Sequence, residues 1–235
     1  MKNNELKVTA SNICNIIEKL DQPYKKNDFL GLKVSKDNFK IIDNSVPILL
    51  SAPHAVKQFR ESYRDNLKPA DMNTGGIVEY LCGSCECNGI IRTFYKKDDP
   101  NYYADKNSIK YRNKICKIVK AKKIRLLLDI HGCNNNREYD IYIGTNQKRN
   151  LCSDRVICNK LCECLIKTGA KIVVDKELCA SQKNNICKEV AAKMNIPCIQ
   201  IEIRKEWRIT SIGLYKFIMA MEAFIQETKM NYNNE

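Results

Sequence analysis

Apolar and polar positions along the chain follow two periods in alternation. Continuous apolar runs at 47–52, 125–130 and 198–203 read as strands buried on both faces of a sheet. Shorter strand patterns stand at 39–42, which reads as an edge strand, and at 90–95, 139–143 and 171–174. Between them lie helical patterns. One covers 7–20, and a second, 74–87, sets Ile77, Val78, Leu81 and Cys82 on its buried side. Others cover 108–120, a segment capped by Ser153 and running toward Thr168, 184–194, and an amphipathic stretch from Ser211 to about Thr228. Strands alternating with helices predict an α/β fold, a three-layer α/β/α sandwich around a mainly parallel or mixed central sheet. The chain has 235 residues, 44% of them hydrophobic, enough for one core, so a single domain over 1–235 is expected.

The candidate chemistry sits at the ends of these apolar runs. The chain has two histidines, His54 just after the first long run and His131 at the end of the second. Ligands of α/β sheets collect outside the carboxyl ends of the strands. A lone histidine there is ordinarily a satisfied strand-end residue, but two in equivalent places can share a metal. Hydrolytic zinc sites use three protein ligands, commonly two histidines and a carboxylate, and keep a fourth position open. The third long run brings Glu202 to the same edge. An ionised carboxylate is costly to bury alone, so Glu202 either pairs with Arg204 or Arg208 or faces water at the metal and moves its proton.

Composition narrows the partners. A formal charge of +13 can serve phosphate backbones, yet the lysines are dispersed, with no RNA-binding module signature and no aromatic-interleaved basic stripe. Joint enrichment in Asn, Ile and Lys is what an A/T-rich genome produces, and charge by itself supports solubility rather than a task. No specific nucleic-acid partner is therefore expected, and a basic nucleic-acid-binding protein without catalysis is the non-enzyme alternative. No apolar run approaches a membrane span, and the N-terminal residues lack the apolar core of a secretory signal, so a cytoplasmic protein is expected. The thirteen cysteines then read as reduced core residues. Cys82, Cys85 and Cys87 form one cluster, but the second, Cys158, Cys162 and Cys164, lacks the knuckle spacing of a structural zinc site.

Several short motifs combine over this frame: Ser51-Ala-Pro-His54-Ala, Ala70-Asp71-Met-Asn-Thr74-Gly75, Asp129-Ile-His131-Gly132, Arg137-Glu-Tyr-Asp140-Ile-Tyr-Ile-Gly144-Thr145 and Gln200-Ile-Glu202. Together, over about 46–208, they resemble the N-formylglutamate amidohydrolase family, whose fold is similar to that of zinc carboxypeptidases and aspartoacylase-like deacylases. The resemblance implies a zinc-exopeptidase-like (phosphorylase/hydrolase-like) fold and a Zn2+-dependent hydrolase of small N-acyl amino acids. It also implies His54 and His131 as zinc ligands and Glu202 as general base. A carboxypeptidase-like peptidase or another deacylase is the alternative within the same fold.

One departure matters. Carboxypeptidases often supply a carboxylate three residues after the first histidine, where this chain has Lys57. The third ligand must come from elsewhere, and Asp71, at the start of the second helix, is the first choice, with Glu61 and Asp65 as competitors. Arginine offers the bidentate fork that a carboxylate substrate or a developing oxyanion needs. Arg137 is the leading candidate for that role, with Arg60, Arg204 and Arg208 as further substrate-binding candidates. Asp129 is a candidate to orient a ligand histidine, strand alternation standing against it, and Asp140 to brace Arg137.

Overall fold

The computed structural model describes residues 2–33 and 36–233. In chain order the elements are α1 (Lys2–Phe29), β1 (Phe39–Ile42), β2 (Val46–Ala52), the short pair β3 (Gln58–Phe59) and β4 (Leu67–Lys68), and α2 (Thr74–Cys85). There follow β5 (Cys87–Arg92), α3 (Lys106–Lys122), β6 (Leu126–Cys133), β7 (Ile141–Gly144), α4 (Val156–Lys167) and β8 (Ile172–Val174). The chain closes with α5 (Ile186–Met194), β9 (Cys198–Arg204), α6 (Lys205–Ile209) and α7 (Ser211–Asn233).

Seven strands form one sheet in the order β1-β5-β2-β6-β9-β7-β8. The four central strands β5, β2, β6 and β9 run parallel, while β1 is an antiparallel edge and β7 is antiparallel to β9. The expected mixed α/β sandwich is thus the observed one, and 39–42 is an edge strand. Strand alternation splits the core in two. Ile48, Leu50, Leu126, Leu128, Ile130, Ile199 and Ile201 face a layer that includes Ile17 of α1, Leu81 of α2, Leu161 of α4 and Phe217 of α7. Leu49, Leu127 and Cys198 face Ile115 of α3 and Val190 of α5.

Topology then selects one edge of the sheet. From β2 the chain passes through α2 to β5 on one side, then through α3 to β6 on the other. A crevice opens at the carboxyl ends of two strands where the order reverses in this way, here between β2 and β6.

Some boundaries differ from the sequence expectation. Glu86 adopts a left-handed conformation (φ 59) and turns α2 straight into β5, so Cys87 begins a strand instead of ending a helix. At α4, Asp154 Oδ1 accepts from Ile157 N at 3.1 Å, taking the capping role expected of Ser153. The β3–β4 pair and α6 have no clear period and were not expected. Among the described residues, no helix is long and apolar enough to cross a membrane.

Candidate metal centre

His54 follows β2 by two residues, His131 lies on β6, and Asp71 lies in the loop that leads into α2. That loop is fastened at several points. Asp71 N donates to His54 O (2.9 Å), and Thr74 Oγ1 donates to Asp71 O (2.7 Å). Arg208 donates to Met72 O. From α1, buried Asp21 accepts from Asn73 N (3.0 Å) and Gly76 N (2.9 Å), which covers the exposed amides at the start of α2.

The three side chains converge. Their ligand atoms lie within 4.8 Å of one another, and all three residues are buried. His131 Nδ1 stands 3.1 Å from His54 Nδ1, His54 Nδ1 3.2 Å from Asp71 Oδ2, and His131 Nδ1 3.6 Å from the same oxygen. The opposite ring nitrogens are already committed: His54 Nε2 to Asp99 Oδ1 and His131 Nε2 to Asp129 Oδ2, each at 2.9 Å. An ionised carboxylate only accepts, so each imidazole carries its proton on Nε2. The two Nδ1 atoms and the Asp71 oxygen then converge closely enough to share one cation, whether a metal ion or a further proton. Two imidazoles braced by carboxylates plus one carboxylate ligand is the donor set a hydrolytic Zn2+ takes, so the residues present fit the implied metal.

Burial opposes a charged His131, but Asp129 and Asp71 outweigh it, and its pKa is pushed up to about 10. Burial would raise the Asp71 carboxyl, yet Lys68 and the two histidines hold it well below the usual carboxylate range. Asp99 is likewise held down, against burial, by His54, Arg60 and Lys68. Lys68 Nζ lies 3.2 Å from Asp71 Oδ1 and 3.3 Å from His54 Nδ1, a cation placed beside the ligands on the cavity side.

Glu202 pairs with His131 across the β6–β9 register. Burial raises its carboxyl, with Asp71 adding to the effect and His131 opposing it. It lines a cavity of about 660 Å³ together with His54, Asp71, Lys68 and Gln200. Arg60, Arg137 and Arg208 also line this cavity, and Arg204 is absent from its wall. Arg60 Nε donates to Asp99 Oδ2 at 2.7 Å while its guanidinium lies over the Tyr102 ring. Arg137 sits half-exposed and paired with Glu177. Arg208 is buried and donates to the carbonyls of Ile203, Met72 and Cys133. Arg204 pairs with Asp140 (2.7 Å) and Glu206 (3.1 Å); Asp140 therefore braces Arg204 and not Arg137. Glu61 and Asp65 are exposed on the β3–β4 connection, outside the ligand cluster.

One reading from sequence changes here. Asp129 and His131 are two apart on β6, so alternation puts them on one face and does not separate them. Asp99 and Lys68 were missed. Asp99 had a legible signal, an acid pair in the loop that follows β5, the strand next to β2. The cysteines join no ligand cluster among the described residues. Burial raises the thiols of Cys82, Cys85 and Cys87, as befits core residues.

No family model matches the chain, and no curated protein matches it. Solved structures do. An N-formylglutamate amidohydrolase from Ralstonia eutropha is 10% identical, with a TM-score of 0.64 over 84% of this chain and 99% of that one. A gene product of Agrobacterium tumefaciens is 11% identical, with a TM-score of 0.58 over 84% and 96%. A bacteriophage poly-gamma-glutamate hydrolase is 12% identical, with a TM-score of 0.50 over 86% and 92%. What this chain shares with them is the fold.

Proposed function

We propose that this chain is a zinc-dependent hydrolase of the amide bond in N-acyl amino acids. The observation that carries this reading is the convergence of His54 Nδ1, His131 Nδ1 and Asp71 Oδ2, with Glu202 one strand away on the same sheet edge. The solved N-formylglutamate amidohydrolase and poly-gamma-glutamate hydrolase support it through a shared fold, a likeness of analogy. When bound, the metal supplies Lewis acidity to the scissile carbonyl and acidity to water.

The rest falls to the chain's own side chains. Glu202 accepts a proton from the attacking water and delivers it to the leaving amine, and its raised carboxyl suits a group that must do both. Lys68 is the cation nearest the ligands and faces the oxygen on which charge develops. Asp99 and Asp129 keep the two imidazoles in the tautomer that presents Nδ1. Arg137 and Arg60, on the cavity wall, contact a substrate carboxylate. Arg208 is assigned to holding the Asp71 loop, because its donors already serve three carbonyls, and Arg204 to the Asp140 pair.

A second reading rests on cavity size. A volume of about 660 Å³ admits far more than one small N-acyl amino acid, which favours an acylated substrate carrying further residues. The deciding experiment is metal analysis of protein purified without added metal, combined with hydrolysis of N-formyl, N-acetyl and γ-glutamyl substrates. About one zinc per chain and turnover that chelation abolishes are expected. Metal-free protein that cannot be loaded, or loaded protein inert toward every substrate class, would sink the proposal.

A further inference from the structure

The Glu202 carboxylate does not stand alone on β9. Gln200, two residues earlier and on the same strand face, donates from Nε2 to Glu202 Oε1 at 3.0 Å. Gln200 Oε1 in turn accepts from Asn185 Nδ2 at 2.6 Å and from Asn101 Nδ2 at 3.4 Å. All three amide residues are buried, at 4%, 2% and 7% exposure. Primary amides can ordinarily be turned end for end, but these cannot. Asn185 Oδ1 accepts from the backbone N–H of Lys188 (3.1 Å), and Asn101 Oδ1 accepts from that of Ile186 (2.8 Å). A backbone N–H only donates, so both asparagines must turn their NH2 groups to Gln200. Gln200 must then present its carbonyl to them and its own NH2 to Glu202.

We infer that Gln200 is a positioning residue, its amide oriented by Asn185 at the start of α5 and by Asn101 of the loop after β5, that aims the Glu202 carboxylate. With Oε1 occupied, Oε2 is left as the oxygen that takes the proton. Helix α5 thereby determines the direction of a hydrogen bond at the sheet edge through two amides. This inference rests on the reading of Glu202 as the general base.

The test uses full-length, zinc-loaded protein and two variants. Gln200→Met removes the donor while keeping the length of the side chain. Asn185→Asp keeps an acceptor for Lys188 N, and hence the helix cap, but turns an oxygen toward Gln200 and reverses its amide. Both variants are expected to lower kcat by about 10–100-fold, the scale of a misplaced catalytic group. KM should stay within about threefold, zinc stoichiometry should be unchanged, and the melting temperature of Asn185→Asp should remain close to that of the parent. Full kcat in either folded, zinc-loaded variant would overturn the inference. So would a raised KM at unchanged kcat, which would make Gln200 a substrate contact. If the parent protein cleaves no substrate, the proposed function fails; if the parent cleaves and either variant matches it, only the role of Gln200 fails.

Discussion

At the scale of single residues, the proposed site offers three ligand atoms to one cation, so each removal has a specific expected result. His54→Ala and His131→Ala should each abolish stoichiometric zinc binding, because a three-ligand site loses an anchor; equilibrium dialysis against zinc checks this. Asp71→Asn replaces an anionic ligand with a neutral amide beside Lys68 and should weaken zinc by at least the 10–100-fold that lesser changes around metal ligands cost. Unchanged affinity in that variant would remove Asp71 from the ligand set. Glu202→Gln keeps shape and metal and loses the proton acceptor. Its kcat should fall by about 10²–10⁴-fold at normal zinc content and normal melting temperature. A stable variant that keeps its rate would strip Glu202 of the role.

Between elements, the position of Asp71 depends on how the α2 loop meets β6 and α6. Gly132, the residue after His131, packs directly on the Arg208 guanidinium, and an added Cβ would run into it. Arg208 cannot step aside cheaply, because it bridges the carbonyls of Ile203, Met72 and Cys133. Gly132 N also donates to Asp71 Oδ2 at 3.0 Å. Gly132→Ala should therefore cost about 1–3 kcal/mol of stability, as overpacking of a full interior does, and should weaken zinc as well by shifting Asp71. Denaturant titration and metal competition on one preparation read both effects, and a fully stable variant with parental affinity would refute the coupling. A second element does similar work on the other side. The Asp98–Asn101 turn after β5 delivers both Asp99 and Asn101, and it is held by Arg92 to Asp98 and by Arg112 to Pro100 O.

For the whole molecule, the proposed zinc site would link stability to pH with opposite signs in the metal-free and metal-loaded forms. In the metal-free fold His131 keeps its proton up to about pH 10, against an ordinary value of 6.5. That proton stabilises the metal-free fold fully below pH 6.5, and the contribution disappears as pH rises through 10. Zinc bound by His131 would displace that proton, so its affinity should increase with pH over the same range and its binding should release protons. Melting curves of chelated protein from pH 6 to 10 should fall while those of zinc-loaded protein hold or rise; a parallel response of both forms would contradict the shared site. Periodicity alone determined the α/β class, the edge strand 39–42 and the carriers of His54, His131 and Glu202, because burying a strand on both faces requires an uninterrupted apolar run. Residue chemistry alone drew attention to the two histidines. Which third carboxylate joins them, and that Asp99, Lys68 and Asn101 complete the surroundings, was decided only by tertiary structure. Those groups come from loops and distant strands with no period of their own, and their neighbours are set by sheet order and by hydrogen bonds that close over long sequence separations.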